Sequence, residues 1–337
     1  MAEFTASRQF KIIVAMKPET VAGTDIFLDT ITGADVLPVI PDSVRFTQDA
    51  NEIENTMTAG NLGRGPSILG ATTARLDFGM YIRGTGTAYS AGNRPKVDLP
   101  FRGCALAATV DATGGAEKVT YQPTSTEELM TIYVVCDVPG GNALSFQMVG
   151  CLGTCTLSGR AGGLMRADFS FQGSLEERKD ITYVGGTIAL TPVFPTLKSA
   201  AFQIGSTNYA PRIANVSFAI QNVMRYLESI NAVSGVAGVK IFDRKPELTI
   251  DPEADREVTS TWWVQLRDGG PLNDMSFQVG TVQYNKMQIR VSAASSPASA
   301  LQLVAQSLGA RDGILTLPSR LLATISAGND DFAFMFS

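Results

Sequence analysis

The sequence predicts a mainly β protein of two tandem domains, each carrying one flanking α-helix, and three observations lead there. Of 337 residues only 18% are charged, 45% are hydrophobic and 32 are glycine. That balance fills the cores of two ordinary domains and suits many short strands joined by turns. Next, residues 44–78 can be written over 216–250 without a gap, at an offset of 172 (216 less 44). Val44 falls on Val216, Phe46 on Phe218, Gly63 on Gly235, Leu69 on Ile241, Leu76 on Leu248 and Phe78 on Ile250. Finally, "LMRADFSFQG" alternates cleanly, with Met165, Ala167, Phe169 and Phe171 on one side and Arg166, Asp168, Ser170 and Gln172 on the other. Period two with one apolar side means a sheet with one dry and one wet face.

Along the chain, each repeat reads as strand, long hairpin or loop, strand. The two middles, "ENTMTAGNLGRGPS" and "LESINAVSGVAGVK", are polar and glycine-containing. After the first comes "DLPFRGCALAATV", where Asp98 caps a helix with Pro100 in its first turn and Leu99, Gly103, Leu106 and Val110 line one face. Strands follow at "KVTYQP", "LMTIYVVCDV", "ALSFQMVG", "TCTLSG" and "LMRADFSFQG". The proline-bearing, aperiodic stretch "VFPTLKSAAFQIGSTNYAPR" places the boundary near Pro195, giving domains 1–195 and 196–337. After the second repeat, Val258, Trp262 and Leu266 recur at helical spacing and Gly269 ends the helix. Strands then follow at "DMSFQVGTVQ", "KMQIRVSA", "GILTLPSRLLATIS" and "DFAFMFS". Another helix is expected at "SPASALQLVAQSLGA", capped by Ser296, with Pro297 first and Gly309 as the stop. Its stripe of Leu301, Val304, Ala305 and Leu308 is read as a core or subunit-contact face.

Composition removes several functions. There is no histidine, so Ser-His-Asp, Cys-His and His-metal chemistries fall together. Carboxylate-pair, lysine and tyrosine chemistry survive that argument, but the acids lie singly or in solvated clusters such as "PEADRE" and "LEERKD". "GRAGG", "GTGT" and "GARDG" lack the spacing of phosphate loops and read as turns. Cys104, Cys136, Cys151 and Cys155 are expected to be reduced and partly buried, with neither metal nor cofactor bound. A net charge of −5 argues against tight wrapping of nucleic acid, though DNA can pass nearby. The N-terminal apolar run, Ile12 to Met16 between two lysines, is too short for a signal segment, and no run approaches the roughly 20 residues that span a bilayer. A soluble protein made in a cytoplasm is the expectation.

The run "LPFRGCALAATV…EKVTYQPTS…LMTIYVVCDVPGG…SFQMVGCLGT…LSGRAGGLMRADFSFQGSL" resembles the core of phage tail tube proteins. "FQVGTVQYNKMQIRVSAA", "RDGILTLPSRLLATIS" and "GNDDFAFMFS" resemble the C-terminal pattern of the same family. The resemblance implies β-sandwich or barrel domains whose sheets join between subunits into a closed cylinder, in rings stacked as the tail tube of a virion. It further implies assembly in the bacterial host cytoplasm, no catalysis, no cofactor, and partners that are copies of itself, the tape measure, the tail terminator and the baseplate. Family rings commonly hold six tube domains, so two per chain imply a trimeric, pseudo-hexameric ring.

A channel that passes DNA without holding it is neutral or weakly acidic. Asp49, Glu52, Asp77, Asp168 and Glu247 are accordingly the candidate lumen-facing acids. The loops 51–67 and 223–239 are expected to reach the next ring through Asn55, Asn61, Arg64, Glu228, Asn231 and Lys240. A baseplate-hub, distal-tail or terminator protein of the same fold, forming a single ring, is the nearest alternative. A type VI secretion tube subunit fits less well, being shorter and single-domain. A carbohydrate-binding adhesin would need an aromatic platform, and the only tryptophans, Trp262 and Trp263, are adjacent and point apart.

Overall fold

The computed structural model describes residues 11–28, 30–53, 67–137, 143–181, 191–198, 200–204, 210–254, 266–267, 275–291, 301–325 and 328–337. The first half runs β1 (Lys11–Pro18), β2 (Val36–Leu37), β3 (Arg45–Ile53), β4 (Ile68–Tyr81), a helix α1 (Asp98–Gly103), β5 (Leu106–Asp111) and β6 (Lys118–Pro123). It closes with β7 (Met130–Asp137), β8 (Ala143–Arg160) and β9 (Arg166–Ile181). The second half supplies β10 (Gln203–Ile204), β11 (Asn215–Ala219), β12 (Asn222–Glu228), β13 (Val236–Arg244), β14 (Glu247–Ile250), β15 (Met275–Val279) and β16 (Met287–Val291). Then come β17 (Leu301–Gln306), β18 (Gly309–Arg311), β19 (Ile314–Thr316), β20 (Ser319–Ala323) and β21 (Phe332–Phe336).

Alternation decides the faces. In β9 the side chains of Ala167, Phe169 and Phe171 are buried while Arg166, Asp168 and Ser170 are not, as period two requires. An 11-stranded antiparallel sheet runs β3-β4-β9-β8-β11-β14-β20-β17, with β7, β1 and β2 attached along the N-terminal half of β8. A six-stranded sheet, β10-β15-β16-β21-β6-β5, lies across the core. The halves are woven together in both sheets, at β8·β11 and at β6·β21. Apolar side chains of both halves share one large buried cluster, beside a smaller one around Ile13, Phe27 and Tyr133 in the first half.

Helix α1 plugs that core. Phe101 is fully buried with its ring centroid 5.2 Å from Tyr121, 5.9 Å from Phe169 and 5.2 Å from Phe334. The buried Asp98 carboxylate accepts from the Tyr121 hydroxyl at 2.9 Å and from Arg102 at 3.2 Å, which compensates its loss of water.

Four sequence expectations are corrected. Asp98 is not the cap: Val97 occupies that position, without a side-chain bond, and Asp98 lies in the first turn. The helix stops at Gly103, because Ala105 takes φ 57° and the following "LAATVD" pairs with β6, placing Leu106 and Val110 on a strand. "ALSFQMVG" and "TCTLSG" are one 18-residue strand, β8, continuous across a bulge at Gly150, whose φ is 62°. Leu301–Gln306 is the strand β17, not part of a helix: Leu301 and Leu303 are buried against β20 and Val304 is exposed, so the expected stripe of Leu301, Val304, Ala305 and Leu308 does not exist. Ser296 and Pro297 lie outside the described residues, as does the helix expected from Val258 to Gly269 apart from Leu266 and Arg267.

The 172-residue offset has a geometric counterpart. Phe46 pairs with Leu76 and Arg45 with Asp77; at the same offset Phe218 pairs with Leu248 and Ser217 with Thr249. Each hairpin slips register at the same point, between Ala50 and Glu52 in the first and between Val223 and Met224 in the second.

Candidate functional site

The long sheet repeats itself. Its order β3-β4-β9-β8 is followed by β11-β14-β20-β17, and in each set a hairpin from the repeat leads and two later strands complete the wall. The junction is antiparallel, with Val216 opposite Gly159, Phe218 opposite Leu157 and Ala219 opposite Thr156. Among the described residues, the edge strands β3 and β17 pair only inward, with β4 and β20, and have no partner strand on their outer sides. Open edges of this length template pairing with another chain. Leu308, just beyond β17, is 77% exposed, whereas Leu157 in β8 is fully buried at the internal junction.

The face of this sheet opposite the core is polar. Cross-strand registers put Asp49, Asp77, Asp168 and Glu247 on it, with Thr156, Ser158, Ser170, Ser217 and Thr249. Glu52 is exposed on β3 beyond the bulge. The same face carries Arg166, which the alternation of "LMRADFSFQG" had already placed there, and Arg45, Arg75 and Arg320, which the sequence reading did not single out. Arg75 lies 3.1 Å from Asp77, Arg166 2.6 Å from Asp168 and Arg320 3.8 Å from Glu247. These exposed pairs contribute little stability, about 0–1 kcal/mol each, but they balance the face. Two shallow cavities of about 590 and 580 Å³ open on it and share Arg166. The missed signal at Arg75 was legible: in a strand, Arg75-x-Asp77 puts both charges on one side, as Arg166-x-Asp168 does.

At one rim of the 590 Å³ cavity Asp251 holds the wall's second half. Its carboxylate accepts from the backbone N–H groups of Ala214 at 2.9 Å and Asn215 at 2.7 Å, and from Arg311 at 2.9 Å. Burial pushes its pKa up, but the hydrogen bonds from Asn215, Ala214 and Arg311 outweigh that and hold it below the ordinary 3.8. A depressed folded value contributes stability that is present above the unfolded pKa and is lost as pH falls through the folded one. Asp251→Ala should therefore cost about 1–3 kcal/mol at pH 7, with a gap from the parent that narrows below the ordinary 3.8. Urea unfolding across pH checks this; an equal gap at every pH would refute it.

The two repeat hairpins differ in placement. The second leaves the sheet at Gln221, whose φ is 52°, and lies across the first half. Asn222 donates to the carbonyls of Cys104 (2.9 Å) and Gly153 (2.8 Å); Arg244 donates to Asn222 and to the carbonyl of Ala105, both at 3.1 Å. Near the hairpin tip Ser234 meets Ser174 at 2.6 Å, and its carbonyl takes the Thr72 N–H. No sequence signal identified this clamp, since its partners on the first half lie 60 or more residues distant. Glu228, Asn231 and Lys240 are exposed, as are Ile230 and Val233 at the tip. Asn55, Asn61 and Arg64 lie outside the described residues.

Cys104, Cys151 and Cys155 are buried and free, and burial pushes the Cys151 and Cys155 thiols well up. No group of three or more metal-ligating side chains occurs among the described residues. No helix there is long and apolar enough to cross a membrane.

A family model described as "Phage tail tube protein" matches residues 9–311. No curated protein matches the chain.

Proposed function

The chain belongs to the phage tail tube protein family, and from that premise we propose that three copies close into a ring and that rings stack into the conduit for DNA ejection. As a family member it is a structural component of the virion tail. The observation that carries the trimer is the repeated strand order: β8 meets β11 within the chain, and β17 and β3, which hold the equivalent places in the two sets, are left open. Joining β17 of one chain to β3 of the next copies that internal junction, so each chain supplies two wall segments, one from 1–195 and one from 196–337. Closure removes every edge of the wall.

The balanced polar face, bearing Asp49, Asp77, Asp168 and Glu247, then lines the channel, and Glu52 stands at its mouth. Paired charges and hydroxyls let phosphates slide, where clustered cations would hold them. The exposed residues Glu228, Asn231 and Lys240 of the second hairpin, and Asn55, Asn61 and Arg64 of the segment between β3 and β4, are the inter-ring contacts of this reading. The tape measure, terminator and baseplate are the partners inside and at the ends. Assembly takes place in the host cytoplasm, and the protein performs no catalysis.

Negative-stain microscopy of the purified full chain is the test. Long tubes with three chains per ring are expected; isolated rings would favour a terminator or distal-tail role, and six chains per ring would overturn the trimer.

A further inference from the structure

We propose that stacked rings are joined by the turn of the second hairpin, whose Ile230 and Val233 seat in an apolar cavity at the Arg160 end of β8 in a second copy, with Glu228 meeting Arg212 there. The proposal rests on the tube reading above and supplies the partner surface for the second hairpin, which that reading leaves open.

The knob is the tight turn between β12 and β13. Ile230 and Val233 are fully exposed on it, while Val236 and Val239 of the following strand are buried. The turn is braced: the Ser229 N–H donates to the Gly235 carbonyl at 3.0 Å, the Thr72 N–H donates to the Ser234 carbonyl at 2.9 Å, and the Ser234 hydroxyl meets that of Ser174 at 2.6 Å. Small and polar residues usually occupy such turns. Two branched aliphatic side chains presented on a braced backbone lose little freedom when a partner covers them, which favours binding. Glu228, also exposed, ends β12 beside them.

The seat is a cavity of about 390 Å³ whose lining, among the described residues, includes Leu197, Phe202, Ile213 and Phe277, with Arg212 as its one charged group. The Arg212 side chain is 87% exposed and stands 3.8 Å from Glu253, a carboxylate that Arg311 already holds at 3.1 Å. An apolar hollow with a loosely held cation complements an apolar knob with an acid beside it.

One copy cannot fill its own seat. Ser174, which braces the turn, pairs with Val149 of β8, and Asn215 of the seat pairs with Arg160. Eleven residues of β8 (160 less 149) separate these rungs, about 35 Å at the rise of a strand. The occupant is therefore a second copy. The separation runs along the strands, whereas closure through β3 and β17 runs across them, so this head-to-tail contact stacks rings.

The test uses the full chain. Ile230→Ser combined with Val233→Ser should leave Tm and rings unchanged, the latter by sedimentation, and shorten tubes roughly tenfold by microscopy. Glu228→Lys and Arg212→Glu should each shorten tubes, and the two in one chain should restore parental length. Serine-variant tubes of parental length overturn the proposal, as do charge singles of parental length or a double that stays short. A serine variant that loses its rings and whose Tm falls assigns the turn to folding and also overturns it. If the parent itself forms no rings, the tube reading fails instead.

Discussion

Oxidised tubes of a Thr47→Cys, Ser307→Cys variant should yield covalently closed trimers, and nothing larger, on a non-reducing gel. The register follows from the internal junction. Ala219 faces Thr156 there, and the 172-residue offset carries Ala219 to Thr47. On the other strand Thr156 pairs with Asp168, while the N–H of Ser307 bonds the Pro318 carbonyl at the corresponding rung beyond β17. Ser307 therefore takes the part of Thr156, and Leu308 falls beside Phe46 as Leu157 does beside Phe218. Directly opposed residues have Cβ atoms about 4.5–5.5 Å apart, near the separation a disulfide needs. Cys136, the one native cysteine that is not buried, is replaced by serine in the background. Thr47→Cys with Gln306→Cys puts the thiols on opposite faces and should not link. Covalent species of six chains, or equal yields from both pairs, would exclude the seam as drawn.

Phe101→Ala should cost about 3–5 kcal/mol, a large share of the roughly 5–15 kcal/mol that holds a typical domain folded. The ring bridges β6, β9 and β21, hence both sheets and both halves of the chain. Its removal leaves a cavity that the backbone of α1, pinned by Asp98, cannot collapse into. Since the halves share this ring, parent and variant should each unfold in urea in a single transition, displaced but of equal slope. Two separated transitions would mean that the halves fold independently, against the shared core.

The mainly β character, the alternation of β9 and the repeated hairpin were all legible, because each depends on local period and spacing. The segment "SALQLVAQSL" was not: Leu301, Val304, Ala305 and Leu308 satisfy a helical period while Leu301 and Leu303 satisfy a strand's. What decides it is β20, a partner whose pairing no local pattern encodes. Likewise "FRGCALAATV" reads as one helix until β6 draws Leu106 to Asp111 into a ladder. Four of the acids chosen for the channel share the polar face, and Arg75 and Arg166 beside them follow from i, i+2 spacing, but the Arg320–Glu247 pair and the Asn222–Arg244 clamp emerge only when distant segments meet.

The β8·β11 junction also bears on how fast such a tube can grow. Because both strands belong to one chain, that seam forms at the rate of folding and is independent of concentration. In the proposed ring half of the seams are then already closed before two subunits meet, and nucleation needs three molecules to collide instead of six. Linked segments act at a high effective concentration, so fusion lowers the protein level at which rings first appear without strengthening any contact.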